Sequence, residues 1–125
     1  QTDVLVDLQG HFTEPVALGK ARLLDTRTGA KPAAGSTTQF DPTSIAAFTE
    51  SPMAAVNVTA TRATEAGFQT VWTCAEALPN ASGLNYDARD TFAIANLAME
   101  KTPSPFCVYT SAPADIILDL VAVTP

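Results

Sequence analysis

The chain of 125 residues reads as an all-β domain, an antiparallel β-sandwich of the jelly-roll kind. Three observations predict this. Period-two alternation runs through short segments: Val56, Val58 and Ala60 alternate with Asn57, Thr59 and Thr61, while Phe68, Thr70, Trp72 and Cys74 share one side of GFQTVWTC, the side expected to be buried. Turn clusters rich in Pro, Gly, Asn and Ser close these runs, namely RTGAKPAAGS, TESPM, TEAG, LPNASG and KTPSP. Helix signals are scarce. TSIAAFTE, capped by Thr43 or Ser44, predicts a single turn, and DTFAIANLAMEK, of mixed periodicity, reads as β from its place among strands. With DVLVDL, ARLLDTR, STTQF, GLNYDA, FCVYT and DIILDLVAV the total comes to about nine strands. A β-trefoil is the alternative at this length, but it requires a threefold repeat, and RLLDTR, VNVTATR and ILDLVAV are only vaguely alike.

The length suits one domain, 1–125, with a real hydrophobic core. Hydrophobic residues make up 46% and charged residues 16%, so there is apolar surface enough to fold and too little charge to keep the chain open. Seven Lys and Arg stand against thirteen Asp and Glu, a net charge of −6, and the basic residues are scattered singly. Nucleic acid and anionic membrane surfaces both need a concentrated positive field, so neither is an expected partner. No apolar run reaches bilayer length, since Asp119 interrupts even the aliphatic tail, and the sequence has no basic start followed by an apolar stretch to act as a signal peptide. An exported protein would therefore be present here in processed form, and a first residue of Gln agrees with that.

Cys74 and Cys107 are an even pair in a chain rich in Thr, Ser, Ala and Pro, a composition at home outside the cell. Each belongs to a predicted strand, and neighbouring strands would join them in a disulfide; the alternative is two buried free thiols. Two cysteines cannot complete a zinc site, and the only imidazole, His11, lies far away in sequence.

Motifs for catalysis are missing. There is no G-x-S-x-G elbow, H-E-x-x-H, glycine-rich phosphate loop or EF-hand loop, and no catalytic residue is assigned. The densest polar spot is Asn85-Tyr86-Asp87-Ala88-Arg89-Asp90. A tyrosine face can stack on a sugar, so Tyr86, Asp87, Arg89 and Asp90, with Trp72, are the candidate ligand-binding residues. The bland reading of that spot is a hairpin turn neutralised by Arg89. No cofactor is expected; the one ion whose chemistry the Asp oxygens would suit is Ca2+. Asn57-Val58-Thr59 and Asn80-Ala81-Ser82 also fit the eukaryotic N-glycosylation pattern.

One phrase occurs twice. Asp3-Val4-Leu5-Val6-Asp7-Leu8 returns as Asp115-Ile116-Ile117-Leu118-Asp119-Leu120. In each copy one side is wholly apolar, and the other sets two acids around an aliphatic. Such acids are expected to be solvated or paired with Arg22, Arg27, Arg62 or Arg89.

At Ala21-Arg22-Leu23-Leu24-Asp25-Thr26-Arg27, Ala55–Thr61 and Gly67–Cys74, then Ala81–Tyr86, Ile94–Leu97 and Cys107–Ser111, the chain resembles a family. These are the β modules of secreted and cell-surface actinobacterial proteins, often in tandem or appended to extracellular hydrolases. They carry "RLLDTR", "LNVTVT", "GYLTVWPCG", "SNLNY", "VANLV" and "VCVYSS", and close with "DLVVDVxGYF". The resemblance implies an exported, non-catalytic accessory or surface module, and supplies no ligand site. Here the last strand ends Val121-Ala122-Val123-Thr124, whereas the first dozen residues keep the family's ending as Gly10-His11-Phe12. Residues 1–12 thus read as the closing strand of a preceding module, and 13–125 as the module proper. Two functions follow as expectations: a structural building block whose segment Asp3–Leu8 either pairs within its own domain or adds as a strand to a neighbouring module or another copy, or an accessory module for cell-wall polysaccharide.

Overall fold

The computed structural model describes residues 11, 13, 17–45, 48, 51–88 and 92–124. Eight strands lie within them: β1 (Ala17–Asp25), β2 (Ser36–Phe40), β3 (Met53–Thr61), β4 (Gly67–Thr73), β5 (Leu84–Tyr86), β6 (Ala93–Lys101), β7 (Phe106–Thr110) and β8 (Asp115–Val123). All pairings are antiparallel and run from the outside of the chain inward: β1 with β8, β2 with β7, β3 with β6, β4 with β5. Rolling that long hairpin over adds the contacts β3–β8 and β4–β7. Two four-stranded sheets result, ordered β1-β8-β3-β6 and β2-β7-β4-β5, which is the jelly-roll arrangement and excludes the trefoil. The predicted strand over Asp3–Leu8 lies outside the described residues.

Alternation built the core where both faces were legible. Val56, Val58 and Ala60 of β3 and Ile116, Leu118 and Leu120 of β8 all point between the sheets and are buried. From the opposite sheet come Phe106, Val108, Leu84 and Tyr86. Phe106 meets Phe48 edge-on at 5.8 Å and Phe40 at 6.4 Å between ring centroids. A fully buried phenylalanine of this kind contributes about 1.5–3 kcal/mol.

A 3-10 turn, Pro42–Ser44, is capped by Asp41, whose carboxylate accepts the Thr43 N–H at 2.9 Å; the helical turn expected over TSIAAFTE falls mostly outside the described residues, among which Phe48 is helical. One expectation needs correcting, and it concerns β4. Its aromatic side, Phe68, Thr70 and Trp72, faces away from the sandwich core, and Gln69, Val71 and Thr73 face inward. Register explains this: Gln69, Val71 and Thr73 stand opposite Thr110, Val108 and Phe106. Cross-strand partners share a face, so burying Phe106 and Val108 turns Gln69 and Val71 in with them.

Among the described residues no helix is long and apolar enough to cross a membrane.

Candidate functional site

The outward face of β4 is not left bare. Cys74 and Cys107 are joined by a disulfide on that side, with Cα atoms 5.1 Å apart, as the predicted adjacency of their strands required. The chain leaving β4 then folds back over its own strand. Glu76 N–H closes a turn on the Thr73 carbonyl at 2.9 Å, and the Trp72 indole donates to the Glu76 carbonyl at 3.1 Å. Further along, Thr70 Oγ1 donates to the Ala81 carbonyl at 2.7 Å and Gly83 N–H to the Gln69 carbonyl at 3.0 Å. These bonds raise residues 78–82 into a wall beside the strand.

Behind the wall lies a groove of about 480 Å³. Its floor is the half-buried pair Phe68 and Tyr109, with ring centroids 5.8 Å apart and planes tilted by 43°. Leu78 and Pro79 form the apolar part of its rim, and Asn80, Ser82 and Asn85 the polar part. The side chains of these last three are exposed and make no hydrogen bond among the described residues. No charged residue lines the groove.

Of the predicted ligand-binding residues that are described, Tyr86 and Trp72 do not come together. Tyr86 is a core residue, 6% exposed; its hydroxyl donates to the Ala112 carbonyl at 2.5 Å and accepts the Ala112 N–H at 3.3 Å. Burial pushes the phenol pKa up. Gly67 makes room for that hydroxyl, since a Cβ there would stand 2.8 Å from the Tyr86 oxygen. Trp72 is on the other face of the same sheet, beside Cys107, so Tyr86 and Trp72 share no platform. Asp87 is exposed and accepts the Ala88 N–H at 2.8 Å. Arg89 and Asp90 lie outside the described residues. Sequence reasoning missed the Phe68–Tyr109 groove because alternation assigned Phe68 to the core; the signal was the polar LPNASG turn, which returns over the strand it leaves.

The repeated acids of the closing strand are paired. Arg22 Nε holds Asp119 at 2.6 Å across the β1–β8 pairing, and Arg62 Nε holds the fully buried Asp115 at 2.7 Å. Thr26 Oγ1 donates to the other Asp115 oxygen at 2.8 Å. Asp25 completes the RLLDTR turn, binding Arg22 at 3.0 Å, Arg27 Nη2 at 2.6 Å and the Arg27 N–H at 3.1 Å. Its bonds to Arg27 foremost, against some desolvation, hold the Asp25 carboxyl well below the usual carboxylate range. The motif's charges therefore tie β1 to β8 and β3. Among the described residues no group of three His, Cys, Asp or Glu is placed to hold a metal ion.

The other distinctive surface is β6, at the edge of the first sheet. All its residues except Ala98 and Glu100 are exposed, on both faces. Of the large exposed hydrophobic residues, Ile94, Leu97 and Met99 are on β6, Phe92 precedes it, and Met53 lies on the neighbouring β3. Asn96, Glu100 and Lys101 supply its polar ties: the Asn96 side chain accepts the Leu97 N–H at 2.9 Å and donates to the Gly83 carbonyl at 2.7 Å, Glu100 accepts from Thr73 Oγ1 at 3.3 Å, and Lys101 pairs with Glu76 at 2.6 Å.

Comparison with family models, with curated proteins and with solved structures finds no match.

Proposed function

We propose that this chain is a non-catalytic, extracellular assembly module of a cell-surface or filamentous protein, and that its sheets are extended by strand addition at β6. The observation that carries the reading is the edge itself: a nine-residue strand exposed on both faces and studded with Ile94, Leu97 and Met99. An edge of this length, unpaired among the described residues, is a template for a further strand. The donor is the segment Asp3–Leu8 of a neighbouring module or a second copy. Its apolar side, Val4, Val6 and Leu8, would continue the side of β6 that carries Ile94, while Asp3 and Asp7 stay toward water. The slot of its twin is already filled, since β8 sits between β1 and β3, so the donor adds at an edge. The disulfide and the resemblance to tandem surface modules support export after signal-peptide removal.

Light scattering across a concentration series tests this. Mass should rise with concentration, and Ile94→Lys, which puts a charge on the side of the edge that meets the donor's apolar side, should shift the species to monomer. A synthetic peptide of residues 1–12 should bind a chain lacking those residues and fail to bind its Ile94→Lys form. A strict monomer at millimolar concentration, with no peptide binding, overturns the proposal.

A further inference from the structure

We infer that the groove over Phe68 and Tyr109 binds a neutral polysaccharide, one or two sugar rings at a time. Sugar rings present two kinds of surface at once, a face of C–H bonds and a belt of hydroxyls. The groove presents the complement of both. Its floor is an aromatic pair, half accessible, on which C–H faces stack. Its rim holds two primary amides and a hydroxyl, Asn80, Asn85 and Ser82, whose side chains are unused by the protein. Each amide offers two donors and an acceptor side by side, the pattern that pairs with adjacent hydroxyls.

Charge sets the class of sugar. With no charged lining residue and a net charge of −6, the groove has no means of compensating a carboxylate or sulfate, and the chain as a whole repels a polyanion. Size sets the length: about 480 Å³ lies within the range of pockets for small organic ligands. The groove is open to solvent rather than enclosed, which admits rings within a longer chain as well as at its end.

The site is distinct from the assembly edge. The groove belongs to the outer face of β4 and β7 in the second sheet, whereas β6 borders the first. A smaller space of about 230 Å³ under Phe92 and Ile94 belongs to that edge and is lined mainly by apolar side chains. The two functions are therefore separable by mutation.

The test is a glycan array of neutral and uronic-acid oligosaccharides probed with the whole chain, followed by NMR titration with the best neutral binder. Binding to neutral oligosaccharides is expected, with shifts at the Phe68 and Tyr109 rings and the Asn80 and Asn85 amides. Tyr109→Ala should weaken binding by about tenfold or more, as loss of a stacking ring does. Asn85→Ala, at an exposed side chain with no partner to lose, should weaken it by about threefold to tenfold with the fold intact. Ile94→Lys should bind as the parent does, even where assembly is lost. An array without any neutral ligand, a preference for uronic acids, or parental affinity in both Tyr109→Ala and Asn85→Ala would falsify the inference.

Discussion

Gln69 is the side chain that the interior accommodates worst. It is fully buried on the inner face of β4, and neither its Nε2 nor its Oε1 has a hydrogen-bond partner among the described residues; the hydroxyl of Thr110, directly opposite, is in the same position. An unsatisfied buried polar group costs about 1–3 kcal/mol. Gln69→Leu, close in volume, should therefore raise stability by about 1–2 kcal/mol, seen as a higher urea midpoint with an unchanged slope. Glu100 is the charged counterpart, 8% exposed on β6 with one long bond from Thr73 Oγ1 at 3.3 Å. Desolvation raises its pKa above the ordinary 4.5. The folded state then holds a proton that the unfolded state has lost, so Glu100's contribution is fully present below the ordinary value and disappears as pH rises through the raised one. Glu100→Gln should match the parent in acid and exceed it in stability at neutral pH; denaturation series at both pH values check this. Asp25 runs the other way: its depressed pKa contributes stability above the ordinary carboxylate range, which is lost in strong acid.

At the scale of elements, β4 and its return loop illustrate how a strand covered on both sides is used. The inner side enters the sandwich beside β7, and the outer side becomes a small second layer of Phe68, Tyr109, Trp72 and the disulfide. The Cys74–Cys107 bond spans 33 positions of sequence, and closing a loop of that size is worth about 3–4 kcal/mol. Reduction should lower the unfolding free energy by about that amount. Intact mass should be two hydrogens short until a reductant is added, and free alkylation of both thiols without reductant would sink the assignment. Asn96 connects this region to the far sheet, because its bond to the Gly83 carbonyl anchors β6 against the chain that walls the groove.

Across the whole molecule, the jelly roll separates two surfaces. Pairing the chain from outside inward places β8 in the interior of the first sheet and leaves β6 at its edge, while β4 and β7 lie together in the second sheet. The proposed self-association and the proposed ligand contact thus belong to different sheets. The expected outcome is that concentration-dependent growth in mass responds to Ile94→Lys and not to Asn85→Ala, with glycan binding responding in reverse. Light scattering and NMR titration on the same two variants measure both.

Much of this was legible along the chain, for local reasons. Period-two runs marked β3, β4, β7 and β8, turn chemistry separated them, and the adjacency of two cysteine-bearing strands predicted their bond. The pairing of acids in the closing strand with Arg22 and Arg62 was likewise among the expected partners. Alternation divides a strand into two faces but does not say which one is inside. That choice is made by cross-strand neighbours and by the opposing sheet, as Phe106 and Val108 do when they draw Gln69 inward and leave Phe68 out. The same dependence buried Tyr86 against Ala112 and moved the candidate site to Phe68 and Tyr109. What the sequence by itself determined was the set of strands and their two faces; what only the tertiary structure decided was which faces meet, because burial is a property of pairs of surfaces brought together from distant parts of the chain.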